Sequence, residues 1–235
     1  MGETQCTYTY KTIVMIQQAT INFLKSLKKN NKKEWFDKNR KAYEAARADF
    51  EGFIQSAIDQ HSKNDTDLKE LEARKCIFRI NRDIRFSKDK SPYKTNFGAS
   101  MDKGGRKSGF AGYYFQLEPG KSFLAGDLWM PEPEKLKKVR QEIDYCFDEF
   151  DEIISSRKFK SWFGELYEGE DIKLSRVPQG FEKDNPASEF LKLKSWLVIH
   201  DLTDKEVTAK NLLKTTVDAF VTMQPFIKFL NRAIG

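Results

Sequence analysis

Histidine is almost missing from this chain: only His61 and His200 occur in 235 residues, each isolated and outside any recognisable motif. A histidine-based metal site or a serine–histidine dyad would need partners distant in sequence. Cysteine is nearly as scarce. Cys6, Cys76 and Cys146 are far apart and odd in number. They form no metal spacing and suggest no disulfide framework, so a reducing cytoplasm is the expected compartment. No apolar run approaches the about 20 residues of a membrane span, and Ile13 to Ile16 is too short for a signal-peptide core. Nucleophile elbow, dinucleotide fingerprint and Cys-x-x-Cys are all absent. Common hydrolase and redox classes therefore have no support, and no metal and no cofactor is expected.

What the chain does have is aromatic bulk and charge. Hydrophobic residues make up 39% and Phe alone occurs 19 times, enough to bury a sizeable core. Residues 1–14 are polar and Thr/Tyr-rich and are expected to be a loosely held extension, with residues 15–235 as a single α+β domain. Ile21, Leu24 and Leu27 suggest a short helix. Asn31 with Glu34 resembles a capping box, and Phe36, Tyr43, Phe50 and Ala57 recur every seven residues, which predicts a long amphipathic helix over about 32–60. Trp35 beside Phe36 is expected at the edge of the core.

Phe97, Ala99 and Met101 alternate with Gly98 and Ser100 as a strand does, and Tyr113 to Leu117 with Phe123 to Leu128 read as a hairpin closed by Glu118-Pro119-Gly120-Lys121. Gly104 to Gly109 reads as a flexible turn that lacks the pattern of a phosphate loop. Helices are expected over about 133–156 and, from the Thr203/Glu206 capping box onward, to the end of the chain, where Pro225 should bend or stop the last one. Trp196 to Ile199 is expected to be a short buried strand. Strands grouped in the middle with helices on either side predict α+β: a central, mainly antiparallel sheet over about 76–128, with a strand near 195–200, packed by long helices.

Charge is concentrated in one place. Between Lys75 and Lys107 there are ten Lys or Arg against three Asp, a net +7, while the whole chain carries +6. One short stretch holds the net charge of the protein. If residues 76–86 begin as a strand, Cys76, Phe78, Ile80, Ile84 and Phe86 share the core face, with Arg79, Asn81, Asp83 and Arg85 opposite. Arg82 then points into the apolar side, which is costly. Either the strand ends near Ile80 and the chain turns, or Arg82 has a dedicated acidic partner. The first is the better reading, because Asp83, Ser87, Asp89, Lys90, Ser91 and Pro92 are loop residues.

The run Arg79-x-x-Arg82-Asp83-x-Arg85-Phe86-x-x-Asp89-Lys90-x-x-Tyr93 resembles the signature of an uncharacterised, mainly bacterial family of domains of unknown function, the DUF2461 type. Asn30 to Arg40, Tyr113 to Gly120 and Arg176 to Phe181 resemble further parts of it, so the resemblance runs from about Met15 to the end. It implies membership and carries no activity with it.

Arg79, Arg82, Asp83, Arg85, Lys88, Asp89, Lys90, Tyr93 and Lys94 are the candidate ligand-binding residues; no catalytic residue is assigned. Arg forks bind carboxylate or phosphate oxygens in pairs, and Lys adds a point charge. Asp83 can hold an Arg in place or act as a base, Tyr93 can donate, and an acid such as Glu118 can complete the site. The expected partner is an anionic small molecule, carboxylated or phosphorylated, with enzymatic turnover left open. The alternatives are an Arg/Asp ion-pair network that fastens the loop, in an interaction protein, and a nucleic-acid surface, against which the neutral remainder of the chain argues.

Overall fold

The structure is a computed structural model that describes residues 15–235. The expectation for residues 1–14 lies outside them. In chain order the elements are α1 (Gln18–Lys29), α2 (Lys33–Lys38), α3 (Arg40–His61), α4 (Ala73–Cys76), β1 (Phe97–Asp102), β2 (Gly112–Leu117) and β3 (Ser122–Leu128). They continue with α5 (Pro133–Tyr145), α6 (Phe147–Ser155), α7 (Arg157–Phe163), α8 (Ser188–Leu191), β4 (Trp196–Leu202), α9 (Asp204–Val207) and α10 (Leu212–Ile234). The strands make one antiparallel sheet in the order β1-β2-β3-β4. This is the expected α+β arrangement. No helix among the described residues is long and apolar enough to cross a membrane.

Strand periodicity sorts the sheet into two faces. Phe97, Ala99, Met101, Tyr113, Phe115, Leu117 and Leu124 are buried on one of them. Phe50 and Phe53 of α3 lie against Phe115, at 5.8 and 5.3 Å between ring centroids, and α10 closes over β3. A side chain at Gly126 would stand 2.7 Å from the Met223 sulfur. Glycine there lets the helix come down onto the strand. The opposite face carries Ser100, Asp102, Tyr114, Gln116, Phe123, Ala125, Asp127, Leu197 and Ile199, and no long helix among the described residues covers it.

Several expectations are corrected. The long helix over 32–60 is two helices kinked at Asn39, whose side-chain amide donates to the Trp35 carbonyl at 2.8 Å and competes with the regular helical pattern. The helix over 133–156 likewise breaks at Cys146. Asn31 caps nothing: its amide clasps both backbone groups of Tyr93, at 2.8 and 3.1 Å. Pro225 stops nothing either, because α10 runs through it while Phe226, Ile227, Phe229 and Leu230 beyond it are buried. The Thr203/Glu206 capping box is present but starts only the four-residue α9.

Residues 76–86 are not a strand. Ile77 bridges to Ala99 and Asn81 to Tyr93, leaving a loose ladder whose tip is the 83–91 loop. Ile77 and Ile80 are buried while Phe78 is 36% and Phe86 95% exposed, so the core face expected from strict alternation does not form.

His61 is fully buried, edge-on to Tyr113 at 4.7 Å, and neither ring nitrogen has a hydrogen-bond partner. Burial pushes its pKa down to about 4, partly offset by Asp65. The folded value lies below the ordinary 6.5, so the unfolded chain takes up the proton first and stability is lost as pH falls from about 6.5 toward 4. His61→Phe should remove that loss. Between pH 7 and 4.5 the variant should gain about 2–3 kcal/mol on the wild type, read from urea midpoints at each pH.

Candidate functional site

The signature stretch divides into paired and unpaired charges. Arg82 is bound to Asp89, and its other terminal nitrogen reaches the Ser87 hydroxyl at 3.3 Å. Asp89 also accepts from the Ser91 backbone at 2.9 Å, and Ser91 first, then Arg82, hold its carboxyl below the usual carboxylate range. Arg85 grips Asp83 with two nitrogens, at 3.0 and 2.6 Å, and lowers its pKa in turn. Lys90 donates to the Ile84 carbonyl at 3.0 Å. Tyr93 is buried with its ring stacked on Phe36 at 4.0 Å, and Lys88 stands exposed on the loop. Arg82, Asp89, Tyr93 and Lys94 border a hollow of about 440 Å³ in which Arg82 is already taken by its acid.

Arg79 and Lys94 have no carboxylate partner among the described residues, and Arg106 shares that property. Lys94 and Arg106 both lie over the Phe78 ring, each 5.2 Å from its centroid. Burial, then Arg79, then Arg106, lowers the Lys94 pKa, the signature of cations gathered without acids between them. Arg106 is steadied by the Ile77 carbonyl at 3.3 Å. Phe78 is therefore a half-exposed aromatic platform with cations on it.

Phe78 and Arg106 also form one wall of a cleft of about 730 Å³ laid over the open face of the sheet. Further lining comes from Phe110, Phe123, Tyr114, Trp129, Leu197 and Ile199. The loop between β1 and β2 makes another wall. Gly104, Gly105 and Gly109 take positive φ there, and the Lys135 ammonium ties the carbonyls of Ser108 and Gly109, both at 2.9 Å. That glycine-rich turn shapes the cleft.

On the floor are two acids. Asp102 of β1 pairs with Gly112 of β2, which pairs with Asp127 of β3. In-register partners share a face, so both carboxyls rise from the same side, on strands about 10 Å apart. Gly112 is needed between them: a Cβ there would sit 2.1 Å from an Asp102 carboxyl oxygen. The Ser100 hydroxyl donates to Asp102 at 2.7 Å. Burial pushes the Asp102 pKa up to about 6, and burial plus the Asp102 charge push Asp127 up to about 7. Tyr114, raised to about 12 mainly by burial, stays protonated and donates to Gln116 at 3.2 Å. The buried Cys76 thiol, pushed up to about 11, is no nucleophile.

Among the described residues no three His, Cys, Asp or Glu side chains come together at metal-binding range. Asp102, Asp127, Tyr114 and Arg106 are absent from the sequence-based candidates. Each acid sits on the outward parity of its strand, where a charged residue normally reads as solvated surface. Nothing short of the strand register distinguishes them. Arg106 belongs to the same basic stretch as the candidates and was legible through its charge alone.

The chain matches the family model described as conserved hypothetical protein (DUF2461) over residues 19–229, and it belongs to that family. No curated protein and no solved structure matches it in the comparisons made.

Proposed function

We propose that this protein binds an anionic small molecule, carboxylated or phosphorylated, with its anionic group held by Arg79, Lys94 and Arg106 around Phe78 and its body in the cleft beside them. The observation that carries this reading is the set of cations left without acids on an exposed aromatic ring at the mouth of a concave, largely apolar cleft. Arg82 and Arg85 serve differently. Their pairing with Asp89 and Asp83 supports the fastening role for that half of the signature. A nucleic-acid strand suits the cleft poorly, since two acids on its floor repel a phosphate backbone.

Thermal-shift titrations with phenyl phosphate, benzoate and inorganic phosphate test this. Phenyl phosphate should raise the midpoint more than inorganic phosphate, because the ring adds apolar contact. Lys94→Ala and Arg106→Ala should each weaken binding about tenfold, the worth of one charge-assisted contact, while Arg85→Ala leaves it unchanged. The reading is overturned if no anion stabilises the wild type, or if Arg85→Ala weakens binding as much as the other two.

A further inference from the structure

The acids on the cleft floor have no part in anion binding. Asp102 is 8% exposed, takes one hydrogen bond from Ser100, and offers a second oxygen to which no described residue donates. The cations of the same cleft do not neutralise the pair. Arg106 is held over Phe78 by the Ile77 carbonyl, and Lys135 is tied to the carbonyls of Ser108 and Gly109. Opposite charges kept apart in one cleft fit a ligand with an anionic group at one end and neutral oxygens at the other. Trp129, 54% exposed, and Phe78 offer flat apolar surfaces for the ring between them.

We propose that Asp102 and Asp127 are a general acid–base pair that hydrolyses the glycosidic C–O bond of an acidic sugar seated in this cleft. The assignment rests on the anion-binding reading above. The protonated carboxyl gives its proton to the bridging oxygen as the C–O bond breaks, and the leaving group departs as an alcohol. The ionised carboxylate takes a proton from water, whose oxygen forms the new bond to the anomeric carbon. One water is consumed, and the proton held by the pair has moved from one acid to the other. The two acids rise from strands two spacings apart, about 10 Å, with only the side-chain-free Gly112 between them. A metaphosphate-like reaction is disfavoured at this floor, because an ionised aspartate repels the incoming phosphoryl oxygens.

The pair needs one acid protonated and the other ionised, and the two titrate near 6 and 7. The groups that face it are Tyr114 from β2, Cys76 from α4, Arg106 and Lys107 from the loop after β1, and Glu132 and Lys135 at the start of α5. Burial keeps Tyr114 and Cys76 protonated through this range.

The test uses 4-nitrophenyl α- and β-glucuronides and the corresponding glucoside 6-phosphates, with neutral glucosides as controls and phenol release as the readout. At least one acidic glycoside should be cleaved in preference to its neutral counterpart, with a bell-shaped pH profile centred between 6 and 7. Asp102→Asn and Asp127→Asn should each lower the rate by about 100-fold or more while keeping the thermal shift with phenyl phosphate. Arg85→Ala should leave the rate unchanged. Cleavage of nothing on the panel, or cleavage that survives both Asn substitutions, overturns the proposal. So does stabilisation by magnesium chloride alone that disappears in Asp102→Asn, which would make the acids cation ligands. If phenyl phosphate still stabilises the wild type in any of these cases, the anion-binding reading stands without the catalysis.

Discussion

Asp127→Asn should make the protein more stable than the wild type at pH 8 and no different from it near pH 4. The wild-type carboxyl titrates at about 7 when folded and near its ordinary 3.8 when unfolded. The folded chain therefore holds the proton more tightly, and unfolding releases it throughout that window. Stability from this group is fully present below about pH 4 and is lost as pH rises through 7. At face value the rise corresponds to about 4 kcal/mol. The cleft admits water to one side of the carboxyl, which discounts that to about 2 kcal/mol. Asparagine keeps the shape and removes the charge. Urea midpoints of the two proteins at pH 4, 6 and 8 give the measurement, and the variant-minus-wild-type difference isolates the effect from His61, whose slope has the opposite sign. A flat difference across that range would mean that Asp127 ionises normally, and that water reaches the cleft floor freely.

Removing Asp65 should have a larger effect, of the opposite sign. This aspartate is 2% exposed and joins three parts of the fold: the Tyr113 hydroxyl donates to it at 2.7 Å, Lys228 of α10 pairs with it at 3.2 Å, and the Asp67 backbone donates at 3.3 Å. Burial works against its charge, but Tyr113, Lys228 and the Asp67 amide outweigh that and keep the pKa low. Asp65→Ala strands a fully buried tyrosine hydroxyl under the sheet and takes away the acid beside His61, for an expected loss of about 3–4 kcal/mol. Tyr113→Phe should cost less, about 1–2 kcal/mol, because the carboxylate keeps its other two donors. The double variant should then be about 1 kcal/mol more stable than the sum of the single losses predicts, the sign of two partners sharing one bond. Equilibrium denaturation with an unchanged urea slope is the readout. Strict additivity would show that the hydrogen bond adds nothing.

These two aspartates also show where a sequence stops being readable. Asp65 follows a helix and looks like any loop acid; only the arrival of Tyr113, 48 residues later, buries it. Asp127 lies in a strand that reads correctly as half of a hairpin, yet its meaning depends on Asp102 arriving on the same face two strands away. The signature Arg and Asp residues were visible at once because they are dense in sequence. Their division into paired and unpaired groups was not, since Arg82 and Asp89 meet only when the loop folds back, and Arg106 joins Lys94 only because Phe78 turns outward.

By itself the sequence determined the elements and the class: the β1–β2–β3 strands, the antiparallel hairpin, the α+β grouping and the concentration of charge between Lys75 and Lys107. All of these follow from patterns with a period of a few residues, which act locally. The tertiary structure alone decided which face of the sheet stayed open, where Gly112 makes room for a carboxyl, and which cations were left without acids. Those outcomes depend on contacts between residues far apart in the chain, and no local pattern carries the distance between them.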